Sequence, residues 1–188
     1  MKYLSGIVFT AIVCTFTISA SAAEVTTNCC QCPPKTQLQA FEERVGTLIV
    51  KGTTELGNIS GQGCTVLVAC RESTDTSNGQ KALGVAVVVR GDTSLVDYDE
   101  LDSFLRALQQ LCVTQWGATA MPQFDAVYTT KDGLRVGSFD NKATGTLDGA
   151  IQSAHTKATS YLTIAQLSTF RSLIEQAKAK LDGVRSGK

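Results

Sequence analysis

The cysteines are the residues of this chain with the clearest capacity for chemistry. The chain has seven, and Cys14 lies in an apolar stretch near the N-terminus. The other six follow that stretch: Cys29, Cys30, Cys32, Cys64, Cys70 and Cys112. Thiols can form disulfides, hold soft metal ions or act as redox nucleophiles. An even number favours disulfides in an oxidising compartment, so the choice depends on where the protein is found.

The first 22 residues have the pattern of a cleaved signal peptide. Lys2 supplies a positive charge, residues 4–18 are apolar apart from Ser and Thr, and Ala20-Ser21-Ala22 is a small-x-small cleavage site. The apolar run is shorter than the roughly 20 residues that a membrane-spanning helix needs. We therefore expect export through the secretory pathway to the periplasm or the extracellular space. The mature chain is expected to have no membrane span and six candidate disulfide cysteines.

Geometry limits how these cysteines can pair. Cys64 and Cys70 lie six positions apart on one predicted strand, which places them roughly 20 Å apart on the same face. A disulfide needs Cα atoms within about 7 Å, so these two are not expected to pair with each other. Cys112 lies on the apolar face of a predicted helix and could reach either of them. The three N-terminal cysteines would then attach their segment to the body, and the connectivity stays open.

Two functional alternatives also involve the N-terminal cysteines. Cys29 and Cys32 have the C-x-x-C spacing of redox enzymes, although Pro33-Pro34 follow and no β-α-β pattern surrounds them. Together with Cys64 or Cys70 they could instead hold zinc or Cu(I). A thiol-based redox or metal-handling protein is thus the alternative to a structural role for the cysteines.

The other reactive side chains do not form a recognisable catalytic motif. His155 is the only histidine of the chain, and we interpret it as a solvent-facing loop residue. An acidic cluster precedes a predicted helix, where carboxylates cap the helix and favour its dipole. The cluster consists of Asp97, Asp99, Glu100 and Asp102. The sequence predicts no cofactor and no metal, and it favours a protein without enzymatic activity while leaving a hydrolase with dispersed carboxylates as a third hypothesis.

Composition excludes further classes of protein. Lys and Arg total 17, Asp and Glu also total 17, and this balance argues against nucleic acid as a partner. A hydrophobic content of 43% with 18% charged residues is typical of a globular domain. Only 6% of the residues are aromatic, which gives little support to a sugar-binding surface.

Residues 23–46 are predicted to form a Cys-rich arm and lead-in, extended at Pro33-Pro34 because adjacent prolines block helix and sheet. Residues 47–188 are predicted to form one domain. Strand-like runs are residues 47–51, 53–59, 64–71, 83–90, 124–130, 134–139 and 147–154. The pairs Asn78-Gly79 and Asp132-Gly133 are favoured in tight turns and predict two hairpins.

Two amphipathic helices complete the predicted domain. One apolar stripe runs from Leu101 to Cys112, with Asp97 and Glu100 spaced as a capping box. The second runs from Leu167 to Leu181.

Thr163 and Gln166 are predicted to form a capping box at the start of this second helix, and Asp97 and Glu100 have the same spacing at the start of the first. When the sequence of the first unit is aligned with that of the second so that Ser94 matches Ser160, the two predicted caps also align. We therefore predict an α+β fold of two diverged β-β-β-α units, about 47–113 and 123–182. They are expected to form an antiparallel sheet with both helices packed on one side.

These patterns favour an exported, soluble α+β protein that acts as a non-catalytic binding or assembly module. Its partner, a protein or a small molecule, would bind the face of the sheet that the helices leave open to water.

Overall fold

The part of the chain that the structure describes folds into two four-stranded antiparallel sheets with three α-helices, which confirms the α+β class. A computed structural model describes residues 36–114, 118–121 and 123–187. The elements are α1 (Gln37–Glu42), β1 (Ile49–Ser60), β2 (Thr65–Asp75), β3 (Lys81–Val89), β4 (Asp92–Asp97), α2 (Leu101–Val113), β5 (Asp125–Thr129), β6 (Arg135–Asn141), β7 (Thr146–Gln152), β8 (Thr159–Thr163) and α3 (Ile164–Arg185). The predicted signal peptide and residues 23–35 of the predicted arm lie outside the described residues.

Each sheet is a meander in which every strand pairs with its neighbour in sequence, in the orders β1-β2-β3-β4 and β5-β6-β7-β8. Both predicted hairpin turns are present. Gly79 and Gly133 have φ angles of +70° and +104°, a region that glycine enters without the strain a Cβ would cause. The break between strands expected at Gly52 is absent, because β1 continues through this residue. The register of β1 against β2 shifts between Glu55 and Gly57, where a β-bulge lies.

The predicted units are corrected in two respects: each contains four strands instead of three, and the strands form two sheets instead of one. The missed strands, β4 and β8, are short and lack alternating apolar residues. Ser94 and Ser160, interpreted from sequence as parts of connectors, lie inside these strands and are fully buried. A buried hydroxyl needs a hydrogen-bond partner, and the sequence did not show where that partner would come from.

The two long helices match their predicted positions. Helix α2 ends at Val113 as expected, and the predicted capping box of Thr163 and Gln166 starts α3. The cap predicted at Asp97 is wrong. A 3-10 turn separates Asp97 from α2, and its carboxylate instead accepts hydrogen bonds from the backbone N–H groups of Gln37 and Leu38, at 2.8 and 3.0 Å. Asp97 therefore stabilises the start of α1, a helix that lies in the predicted lead-in, where no helix was predicted.

Helices α2 and α3 pack against each other and against the sheets, and one hydrophobic core spans both units. Phe104 of α2 and Phe170 of α3 are fully buried, and their rings meet edge to face with centroids 6.2 Å apart. None of the helices in the described part of the chain is long and apolar enough to cross a membrane.

The units are also joined by hydrogen bonds at corresponding positions. The Ser94 hydroxyl accepts from the backbone N–H of Ala154 at 2.9 Å, and the Ser160 hydroxyl donates to the carbonyl of Cys64 at 2.6 Å. Each of these serines thus connects the fourth strand of its own unit to a loop of the other unit. This arrangement is consistent with the pairing of Ser94 with Ser160 expected from the sequence.

Candidate functional site

The two sheets differ in what covers their outer faces, the faces opposite α2 and α3. On the first sheet, Cys70 faces α3, with its Sγ 3.6 Å from the carbonyl oxygen of Ala177. Its neighbour Arg71 must point to the opposite face, because successive side chains of a strand alternate. There Arg71 binds Glu42 of α1 with nitrogen–oxygen distances of 2.8 and 3.0 Å. Helix α1 therefore covers part of the outer face of the first sheet.

Glu42 is the centre of this contact. Its carboxylate also accepts a hydrogen bond from the Ser73 hydroxyl at 2.7 Å and pairs with Lys51 of β1 at 2.7 Å. Burial alone would raise the pKa of Glu42, but the hydrogen bonds from Arg71, Lys51 and Ser73 outweigh it and lower the pKa to about 2. Glu42 is thus held charged, and its role is to fix α1 on the sheet.

The outer face of the second sheet carries a pair of aromatic rings, of which Tyr161 is exposed and Phe139 is half-buried. The strand register aligns Val127, Gly137, Ala150 and Tyr161 in one row across β5, β6, β7 and β8. Phe139 lies in the adjacent row, and its ring meets that of Tyr161 edge to face with centroids 6.1 Å apart. Val127 and Tyr161 are 43% and 49% exposed. We call these five residues the aromatic face.

The middle of the aromatic face is a depression of about 390 Å³ with Gly137 and Ala150 as its floor. A Cβ at Gly137 would lie 2.8 Å from the carbonyl oxygen of Ala126, so this position requires glycine. Small residues at the floor and larger ones at Val127 and Tyr161 make the surface concave. A ligand can therefore approach the backbone of β6 and β7 closely.

Polar groups surround this depression. Asp125, Arg135, Gln152 and Thr159 line it, and the Gln152 amide donates to the Thr159 hydroxyl at 3.1 Å. The lining thus offers a carboxylate, a guanidinium group, an amide and a hydroxyl. Such a ring of donors and acceptors around an apolar centre is typical of binding surfaces.

A second depression of about 600 Å³ lies on the other side of the aromatic pair, and Phe139 and Tyr161 line both. Its polar lining includes Lys142, Asn141 and Asp148, and the Asn141 amide donates to the Asp148 carboxylate at 2.6 Å. The aromatic pair therefore forms a ridge between two concave surfaces, and an extended ligand could contact both.

The candidate disulfide cysteines divide into two groups. Cys29, Cys30 and Cys32 lie outside the described residues. Cys64, Cys70 and Cys112 are free thiols in this structure, and no disulfide joins Cys112 to either of the other two. Burial raises the pKa of the Cys70 and Cys112 thiols, which disfavours the reactive thiolate form.

His155 and the acidic cluster lie at loops and turns of the fold. His155 is exposed in the loop between β7 and β8, with its Nε2 3.8 Å from the Asp132 carboxylate. Glu100 accepts a hydrogen bond from the backbone N–H of Lys131 at 2.9 Å, and Asp99 pairs with the Lys131 ammonium at 3.1 Å. Both acidic residues thus hold the turn between β5 and β6. Within the described ranges, no group of three or more His, Cys, Asp or Glu side chains is placed to hold a metal ion.

Sequence reasoning did not find the aromatic face. It placed β6 and β7 but not β8, so Tyr161 had no strand and no register relative to Phe139. The available signal was the β-favouring residue types at Thr159, Tyr161 and Thr163, but the strand is short and Ser160 suggested a connector.

No protein-family model matches this chain, and no curated protein matches it in sequence.

Proposed function

We propose that this protein is an exported, non-catalytic binding or assembly module, and that its partner is another protein that lies across the aromatic face. The observation that carries the proposal is the partly exposed Phe139–Tyr161 pair, which lies between two depressions on a sheet face that no described element covers.

The residue types favour a protein partner. Tyrosine, phenylalanine and arginine are enriched at protein–protein interfaces, where tyrosine and arginine often provide a large share of the binding energy. Here Tyr161 and Phe139 adjoin Arg135, and the small residues Gly137 and Ala150 leave room for inserted side chains. The lining includes both acidic and basic groups, so specificity would come from individual hydrogen bonds more than from net charge.

A binding role also agrees with how the strongly perturbed carboxylates are used. Burial would raise the pKa of Asp92, but hydrogen bonds from Thr156, Ser153 and His155 outweigh it and lower the pKa to about 2. Asp92 thus anchors the loop between β7 and β8, as Glu42 anchors α1. Both carboxylates support the fold at positions outside the aromatic face.

The test is the substitution Ala150→Arg, which puts a long charged side chain over the floor of the central depression. A photo-reactive phenylalanine analogue at position 161 would first identify the bound protein by cross-linking in the native host. We expect Ala150→Arg to weaken binding of that protein at least about thirtyfold, the effect of losing an interface centre worth roughly 2 kcal/mol. Titration calorimetry with purified partners measures the affinity.

Ala179→Arg is the matched control, because Ala179 is an exposed alanine on α3, away from the aromatic face. It should leave the affinity unchanged. Equal affinities of wild type and Ala150→Arg for the cross-linked partner would refute the proposal, as would the absence of any cross-linked protein.

A further inference from the structure

Strand β1 forms an edge of the first sheet, and its N-terminal half is exposed on both faces. Residues 50–55 are all exposed, and Val50 is 54% exposed although it is apolar. Such an edge presents unpaired backbone N–H and C=O groups to solvent, which can pair with another strand. The aromatic face lies on the other sheet, so this edge is a separate surface.

The hydrogen-bond pattern shows which residues of this half present their backbone outward. Thr76 donates its N–H to the carbonyl of Leu48, one position before β1, so the backbone of Leu48 points toward β2. Antiparallel strands alternate between hydrogen-bonded and non-hydrogen-bonded pairs, and Ile49 pairs with Asp75 in register. The outward backbone groups are therefore those of Ile49, Lys51, Thr53 and Glu55.

The C-terminal end of the same edge is already occupied. Gln62, just after β1, exchanges two backbone hydrogen bonds with Tyr161 of β8, at 2.8 and 2.9 Å. The Gln166 amide donates to the carbonyl of Ser60 at 2.9 Å. Among the described residues, no strand pairs with the outer edge of 49–55.

We propose that this free edge pairs with the same edge of a second copy of the chain, antiparallel, with Thr53 on the two-fold axis. This register sets Lys51 of each copy directly opposite Glu55 of the other. Both residues have outward backbone groups and lie on the same face, so each copy contributes one member of two identical ion pairs. Opposite charges facing each other across antiparallel strands stabilise the pairing.

Charge selects this register over the neighbouring two-fold arrangements. A pairing centred on Lys51 would place the two lysines opposite each other, which is destabilising. A pairing centred on Gly52 would set Lys51 opposite Thr53 and Ile49 opposite Glu55, without any ion pair. The bulge after Glu55 limits how far the pairing can extend.

A charged edge residue and a bulge can also serve to prevent strand pairing, so the experiment must separate attraction from protection. Sedimentation velocity of the purified protein over a concentration series should show a dimer for wild type. Glu55→Lys places a lysine opposite Lys51 of the other copy at both ion-pair positions, and this repulsion should weaken dimerisation at least about tenfold. Glu55→Gln removes the attraction without adding repulsion. Its dimer affinity should therefore lie between those of wild type and Glu55→Lys.

A mixing experiment tests the register itself. Lys51→Glu should also be defective in self-association, yet an equimolar mixture with Glu55→Lys restores opposite charges at both pairs and should form a heterodimer. Thr53→Pro removes an outward N–H that makes no bond to β2 and should likewise give a monomer.

Thermal unfolding of each variant checks the fold, since Lys51 also pairs with Glu42. A wild type that stays monomeric up to its solubility limit would overturn the proposal. So would a Glu55→Lys variant that is folded and dimerises as tightly as wild type.

Discussion

Replacing Phe170 with alanine should lower the free energy of unfolding by about 3–5 kcal/mol. Phe170 is fully buried in α3, and its ring packs edge to face on Phe104 of α2. Removing it leaves a cavity where the helices meet above both sheets, and the surrounding strands are hydrogen-bonded and can collapse only in part. Urea denaturation followed by circular dichroism measures the change.

The companion measurement is Phe139→Ala, which removes the same side chain from a partly exposed position on the aromatic face. Phe139→Ala should lower the free energy of unfolding clearly less than Phe170→Ala, because the Phe139 ring keeps contact with water in the folded state. A double-mutant cycle between Phe104 and Phe170 should give a coupling of about 0.5–1.5 kcal/mol for the ring pair. A loss below about 1 kcal/mol for Phe170→Ala would contradict the placement of α3 in the core.

Glu42→Gln should lower stability at neutral pH by about 2 kcal/mol and remove a part of the acid sensitivity. The folded pKa of Glu42, about 2, lies below its ordinary value of 4.5, so the charged carboxylate favours the folded state. That contribution is fully present above about pH 4.5 and is lost as the pH falls toward 2. Lys51 is 41% exposed, and solvent screening of this pair reduces the effect.

The measurement is the free energy of unfolding as a function of pH for wild type and variant. Their difference should be constant above pH 4.5 and should shrink below it. Glu43→Gln is the matched control, because Glu43 is an exposed neighbour whose carboxylate accepts a hydrogen bond from the Gln39 amide at 2.9 Å. Asp92 also has a lowered pKa, and its protonation in acid should destabilise wild type and Glu42→Gln equally. Parallel pH profiles for wild type and Glu42→Gln would contradict the ion-pair network on α1.

The elements that could be predicted from sequence are those whose signals are local. The turn at Asn78-Gly79 needs only a glycine at its positive-φ position, and the start of α3 needs only Thr163 and Gln166 at the correct spacing. The apolar stripe of α2 likewise defines its length without reference to the rest of the fold. In each case the stabilising contact lies within a few residues of the pattern.

The features that were not predicted correctly depend on contacts with residues distant in sequence. Asp97 has the residue type and position of a cap for α2, but the backbone N–H groups that it binds belong to Gln37 and Leu38. Ser160 can be buried in a strand because its hydroxyl donates to the carbonyl of Cys64, 96 residues earlier in the chain. The pairing of Phe139 with Tyr161 depends in turn on that strand. The candidate site was therefore harder to predict than the fold class.

The position of α3 at the end of the described fold has a consequence for how the molecule is made. Both sheets are meanders of sequence neighbours, so their hairpins can form as soon as the strands leave the ribosome. The core is different, because α3 contacts β1, β2 and β3 of the first sheet and β7 and β8 of the second. Its 22 residues must be synthesised before the buried valines of either sheet are covered. We therefore expect the inner faces of both sheets to stay partly uncovered in the nascent chain until α3 has been synthesised.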